Sequence, residues 1–263
     1  MSRVVVIFKI CYHFFMSEIV ISNISKWYGT KKKGKYSVHG LNLSIKKGSV
    51  FGFLGPNGAG KTTTMKMLVG LAKPTSGHIT IAGGNPNDLS IKNKIGFMPE
   101  SPSFYLYLTG REFLEFIAII FFGFKDHKDH IDSLFRTVDL VHGADKQIRT
   151  YSKGMLQRLG LAQALINDPD ILFLDEPLDG LDPLGRAEMK KIVLDLKARN
   201  KTIFFNSHVL ADVEEICDHV GIIDEGTLIA SDTPKNISIG YRDLEDAFVQ
   251  IIKKRRDDKA TNK

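Results

Sequence analysis

Two cysteines in 263 residues, Cys11 and Cys217, show neither a CxxC nor a Cys/His spacing. That excludes a disulfide scaffold and a cysteine-ligated metal site, and the expectation is a reducing compartment. Nine prolines and one tryptophan leave no room for a proline-rich segment. Long hydrophobic runs are missing as well. Val4 to Met16 is broken by Lys9 and His13, and Phe113 to Phe124 contains Glu115. Both fall short of the ~20 apolar residues that a bilayer span needs. The body of the chain also lacks an excess of one charge. The net charge of +6 sits at the ends, with Arg3 and Lys9 in the first fifteen residues and six basic against two acidic side chains from Lys253 to Lys263. A neutral body offers no broad phosphate-binding face, so nucleic acid is not the expected partner.

The remaining composition is ordinary for a globular protein, 43% hydrophobic and 25% charged, and the length fits one large α/β domain or two small ones. Residues 1–15 read as an extension ahead of the fold, either an upstream addition or a short membrane-surface anchor. Met16-Ser17-Glu18 then opens an alternating strand with Ile19 and Ile21. Between 16 and 252 strands and helices alternate. Val50–Leu54, Ile79–Ala82, Ile95–Met98, Ile171–Leu174, Thr202–Phe205 and Val220–Ile223 read as strands, most of them buried. Such alternation predicts an α/β fold with a mostly parallel sheet. The stretch 101–167 breaks the pattern and reads as a helical subdomain rich in Phe and Leu. Lys31-Lys32-Lys33-Gly34-Lys35 reads as an exposed turn between two antiparallel strands, and 253–263 as a solvated basic tail.

Gly55-Pro56-Asn57-Gly58-Ala59-Gly60-Lys61-Thr62 fits G-x-x-x-x-G-K-[ST] without a mismatch, between a predicted strand and a helix predicted to run from Gly60-Lys61 to about Leu71. Glycines let backbone N–H groups turn inward around phosphate oxygens, and the helix N-terminus adds positive potential. Lys61 would neutralise the outer phosphates, and the Thr62 hydroxyl would ligate Mg²⁺. Further on, Ile171-Leu172-Phe173-Leu174-Asp175-Glu176-Pro177 ends an apolar strand in two carboxylates, at the sheet edge where ligands sit in open α/β folds. Asp175 is the expected Mg²⁺ ligand, and Glu176 the expected base or positioner of an attacking water.

With these motifs the chain resembles the ATP-binding cassette (ABC) family over about Ser17 to Ile252. Tyr151-Ser152-Lys153-Gly154-Met155-Leu156-Gln157-Arg158 is similar to the family's signature, usually Leu-Ser-Gly-Gly-Gln; Lys153 and Met155 replace Gly and Gln. Ser152 would cap a helix running to about Ile166, and its hydroxyl with the Gly154 N–H would bind a γ-phosphate. The resemblance implies that this phosphate belongs to the ATP of a second subunit, in a head-to-tail dimer, most simply a homodimer. It further implies Tyr28 as the aromatic that stacks on adenine and Thr63 as part of the ATP cradle. Asp182 takes the role of key carboxylate in the loop Leu178–Asp182, and His208 that of the switch histidine at the γ-phosphate. Glu100 stands where most cassettes carry a Gln and would still reach Mg²⁺.

Glu100 together with Tyr-Ser-Lys-Gly-Met resembles the single-cassette subunits of type-2 exporters. The implied activity is ATP hydrolysis that drives a separate membrane permease, from a peripheral position on the cytoplasmic face. Phe104–Leu108 and Phe113–Phe122 divide between the subdomain core, the larger share, and a groove for a permease helix. An importer subunit, a translation- or DNA-associated cassette and a switch without turnover remain as alternatives. The distance from Thr62 to Tyr151 is too short for the coiled-coil insert of DNA-associated cassettes.

Overall fold

The computed structural model describes residues 17–29 and 34–261. The expected extension 1–15 and Lys31 to Lys33 of the expected turn lie outside them. Three strands form an antiparallel sheet in the order β2-β1-β4: β1 (Ser17–Tyr28), β2 (Lys35–Lys46) and β4 (Ser76–Ile81). Alternation in β2 buries Val38, Leu41, Leu43 and Ile45 on one face. Ile21 of β1 lies opposite both Leu43 and Ile79, so the apolar faces coincide.

The second sheet has the order β5-β6-β7-β3-β8-β9. Its strands are β3 (Val50–Leu54), β5 (Ile95–Met98), β6 (Ile171–Asp175), β7 (Thr202–Ser207), β8 (His219–Asp224) and β9 (Thr227–Asp232). All neighbours pair in parallel except β8 and β9. Strands buried on both faces read as unbroken apolar runs because each face has its own core. Phe51, Phe53, Phe173 and Phe204 face the antiparallel sheet and α1 (Lys61–Leu68). Val50, Leu54, Leu172, Leu174, Ile203 and Phe205 face the helices on the other side. Those helices include α5 (Lys153–Ala164), α6 (Pro183–Ala198), α7 (Leu210–Ile216) and α9 (Leu244–Thr261). Between β4 and α5 lie α2 (Leu89–Lys92), α3 (Gly110–Phe122) and α4 (Lys128–Thr137), and α8 (Pro234–Ile237) precedes α9.

Helix starts follow local side-chain chemistry. Thr109 and Glu112 form a capping box at α3, while Ser152 and Asp182 accept the N–H groups of Met155 and Gly185 at α5 and α6.

Three expectations need correction. The cradle helix ends at Leu68 rather than Leu71, because Gly70 turns into the left-handed region (φ 74°) and reverses the chain. The core takes only about half of the two aromatic-rich runs, with Phe104, Leu108 and Ile117 packed against it, and not the larger share. Phe113, Leu114 and Ala118 are buried, but Tyr105, Leu106, Tyr107, Phe116, Ile120, Phe121, Phe122 and Phe124 are exposed, Phe124 at 92%. One helix packed on one side cannot bury a ring of side chains pointing all ways. The basic end is not a free tail either. Helix α9 continues to Thr261 and brings Arg255 and Arg256 to 3.6 and 3.7 Å from the buried Asp224, while Lys259 pairs with Glu225.

Candidate active site

The turn after β3 is shaped by two close backbone approaches. A Cβ on Gly55 would fall 2.3 Å from the Ile223 carbonyl of β8, and one on Gly60 (φ 111°) 2.5 Å from the Ser37 carbonyl of β2. Only glycine fits there, so the turn is held between two strands. The Gly226 N–H donates to the Ala59 carbonyl (2.8 Å) and anchors the loop from the β8–β9 turn. Lys61 opens α1 and folds back over the loop, its Nζ donating to the Gly55 carbonyl at 2.7 Å and the Pro56 carbonyl at 3.4 Å. Burial pushes its ammonium below the ordinary lysine range, while Glu176, Asp175 and Glu100 push back. An ammonium at the head of a glycine-rich turn that opens a helix suits phosphate oxygens.

A cavity of about 530 Å³ lies over this loop. Residues 54–63, Ser37, Glu100, Asp175, Glu176, Asp179, Ser207, His208, Leu210 and Phe248 line it. Asp175 ends β6 fully inside the sheet. Burial raises its carboxyl above the usual range, against a hydrogen bond from Asn206 Nδ2 of 2.7 Å. Glu176 follows in the left-handed region (φ 52°), a conformation that costs a non-glycine residue about 1–3 kcal/mol. The turn aims its carboxylate at the neighbouring strand end. There Glu176 Oε2 accepts the His208 backbone N–H (3.2 Å) and lies 2.8 Å from His208 Nδ1. His208 Nε2 is 3.7 Å from Asp179 Oδ1.

Thr62 and Glu100 are exposed at this cavity; the Thr63 hydroxyl is shared with Ser37 at 2.8 Å. Oxygen donors from Thr62, Asp175 and Glu100 suit a hard cation such as Mg²⁺. No group of three or more His, Cys, Asp or Glu among the described residues makes a metal cage. Mg²⁺ is ordinarily held by one or two carboxylates with phosphate and water, so this sparse donor set fits it.

The remaining expected residues stand elsewhere. Ser152, Gly154 and Asp182 line a second recess of about 280 Å³ with Met155, Arg158 and Glu188. Tyr28 sits half exposed at the end of β1, with Lys26 Nζ 5.1 Å above its ring. In the loop 178–182 it is Asp179, not Asp182, that reaches the cavity; the Asp182 carboxylate caps α6 at Gly185 N–H (2.8 Å). Sequence reasoning also passed over Asn206, Ser37 and Phe248. Asn206 carried a signal, a polar side chain ending the otherwise apolar run Ile203–Phe205. Ser37 and Phe248 carried none, since only the packing of β2 and α9 brings them to the cavity.

Comparison with known proteins agrees with this geometry. The family described as ABC transporter matches residues 38–179. The bacitracin transport ATP-binding protein BcrA of Bacillus licheniformis is 48% identical over 81% of this chain and 69% of its own length. A fluoroquinolones export ATP-binding protein of Mycobacterium tuberculosis is 40% identical over 79% of this chain and 69% of its own. A solved ATP-binding subunit of an ABC transporter superposes with a TM-score of 0.78 at 27% identity, over 90% of this chain and all of that one. This chain spans 56–69% of the length of these and the other leading curated relatives. A match over more than half of the sequence, on the fold and cradle described above, places the chain in the ABC transporter family.

Proposed function

We propose that the chain is the ATP-binding and ATP-hydrolysing subunit of an ABC transporter, driving export through a separate membrane permease. The observation that carries this reading is the pairing of Glu176 with His208 at 2.8 Å, in the same cavity as Lys61 and the glycine-rich loop. In this reading the N–H groups of residues 55–62 and the Lys61 ammonium hold the phosphates. Glu176 accepts a hydrogen bond from the attacking water, and its strained backbone keeps the carboxylate aimed at it. His208 fixes the Glu176 carboxylate and reaches the γ-phosphate, and Tyr28 offers its ring to adenine. Thr62 and Asp175, with Glu100 alongside, would hold Mg²⁺, which neutralises charge on the phosphate oxygens.

Ser152 and Gly154 open α5 on a surface separate from the cavity over the cradle. That separation supports a head-to-tail homodimer, in which the α5 N-terminus of one copy completes the nucleotide site of the other, with Asp182 ordering the loop between them. The exposed aromatic patch around Tyr105, Tyr107 and Phe116 supports docking of a short permease helix. Relatives named for bacitracin transport and fluoroquinolone export support the exporter class. No described helix is long and apolar enough to cross a membrane. In this reading the permease is a second chain, and this one sits peripherally on the cytoplasmic face.

The test is Glu176→Gln. The variant binds MgATP, hydrolyses it at least about a hundredfold more slowly, and accumulates as a closed dimer on size-exclusion chromatography. Near-wild-type turnover would show that Glu176 is not the water-polarising group.

A further inference from the structure

Lys153 replaces a glycine of the usual signature, and the reading above gives it no task. It opens α5 beside the Ser152 cap, and its Nζ lies 3.1 Å from Asp179 Oδ2. The other oxygen of the same carboxylate, Asp179 Oδ1, is 3.7 Å from His208 Nε2. On the far side of the imidazole, Nδ1 is 2.8 Å from Glu176 Oε2. Four side chains from three segments therefore run from the first turn of α5 to the carboxylate above the phosphate loop. Each neighbour along the line is a basic group set against an acidic one.

The loop backbone makes room for this line. The lysine stem lies directly on Gly180 (φ 65°): a Cβ there would fall 1.7 Å from Lys153 Nζ and 2.5 Å from Cε. A side chain at 180 would push the ammonium off Asp179. The Asp179–His208 separation is too long for a direct hydrogen bond. Asp179 thus acts on the imidazole through its charge and direction, and both depend on what holds the carboxylate. Unpinned on a surface loop, it would exchange rotamers; gripped by Lys153, it keeps one oxygen facing His208.

We propose that Lys153 is a positioning residue that acts through Asp179 to hold the His208 imidazole on Glu176. The proposal rests on the reading of Glu176 as the water-polarising group. It couples the attitude of the signature helix to the catalytic pair within one chain. The competing role is a direct one, with the Lys153 ammonium acting on a second copy's nucleotide from the start of α5.

Steady-state hydrolysis of MgATP by the purified protein separates the two. Wild type is compared with Lys153→Ala, Asp179→Asn, the double variant and Glu176→Gln, with unfolding midpoints as the folding control. Lys153→Gln stands in if the alanine variant does not fold. Exposed ion pairs are weak, so Lys153→Ala is expected to lower kcat about two- to fivefold with KM unchanged. The double variant is expected to be no slower than Asp179→Asn alone, because Lys153 then has nothing left to hold. Wild-type kcat in Lys153→Ala overturns the proposal and leaves the Glu176 assignment standing. So does a further loss on adding Lys153→Ala to Asp179→Asn, or a change confined to KM; both indicate direct action on phosphate. Near-wild-type turnover in Glu176→Gln removes the catalytic reading, and the proposal falls with it.

Discussion

Asn206 and Asp175 sit side by side at the ends of β7 and β6, where the parallel register pairs their Cα positions, and the Asn206 amide donates to Asp175 Oδ1 at 2.7 Å. Asn206 is fully buried and Asp175 nearly so. The amide is thus a fixed dipole that holds a nearly buried carboxylate in place at the cavity wall. Its own carbonyl oxygen, Asn206 Oδ1, has no hydrogen-bond partner, so the site tolerates one unmet acceptor for the sake of that donor.

Replacing Asn206 with Leu should therefore have two effects. Unfolding in urea should show a loss of about 1–3 kcal/mol, the cost of leaving a buried acceptor without its donor. The Mg²⁺ concentration needed for half-maximal ATPase should also rise, because the Asp175 carboxyl, already raised by burial, loses the bond that lowers it.

Lys61 carries a pH dependence of the opposite kind. Burial depresses its pKa in the fold below the unfolded value. In the window just below that unfolded value the folded chain binds fewer protons, so stability of the nucleotide-free protein rises with pH there. At lower pH both states are protonated, and the full cost of burying the cation applies. Urea unfolding over the pH range just below about 10.4 should show this rise; Lys61→Met should flatten it, and bound nucleotide, by supplying phosphate charge, should reduce it.

The last turns of α9 hold a buried carboxylate. Asp224 is 1% exposed, and Arg255 and Arg256 approach it at 3.6 and 3.7 Å. Removing both guanidinium groups in Arg255→Ala/Arg256→Ala should cost about 2–3 kcal/mol. That is less than the ~3–5 kcal/mol of a fully buried pair, because Arg256 is more than half exposed. Adding Asp224→Asn should restore part of the loss by removing the unpaired charge, as read by chemical denaturation.

Tyr105 and Tyr107 are 49% and 70% exposed, so neither supports the core. Tyr105→Ala and Tyr107→Ala should leave the unfolding midpoint and the basal ATPase within about twofold of wild type. Substrate transport and permease stimulation, measured with the permease in vesicles, should fall at least about tenfold. A parallel loss of basal ATPase would put these rings in the fold rather than in the docking face.

Much of the site was legible because its chemistry is local. A glycine-rich turn between strand and helix, and two carboxylates ending an apolar strand, are patterns of neighbouring residues. So is the cap Ser152. The five parallel strands were legible for a related reason, since burial on both faces writes an apolar run into each. The exposed aromatics of 104–122 were not, because hydrophobicity alone does not say whether a partner within the chain covers a side chain. Nor was the placing of Asp179 relative to Asp182. Both are carboxylates in one short loop, and only the path through Gly180 turns the first toward His208 and leaves the second capping α6.

By itself, then, the sequence determined the five parallel strands, the phosphate loop and the family to which the chain belongs. Each of these depends on side chains within a few residues of one another. The tertiary structure alone decided the strand order β5-β6-β7-β3-β8-β9. With it came the meeting of Glu176 and His208, 32 residues apart, and the line from Lys153 through Asp179 to both. Sheet order and loop direction result from packing two faces of one sheet at once, and no local run of residues records that choice.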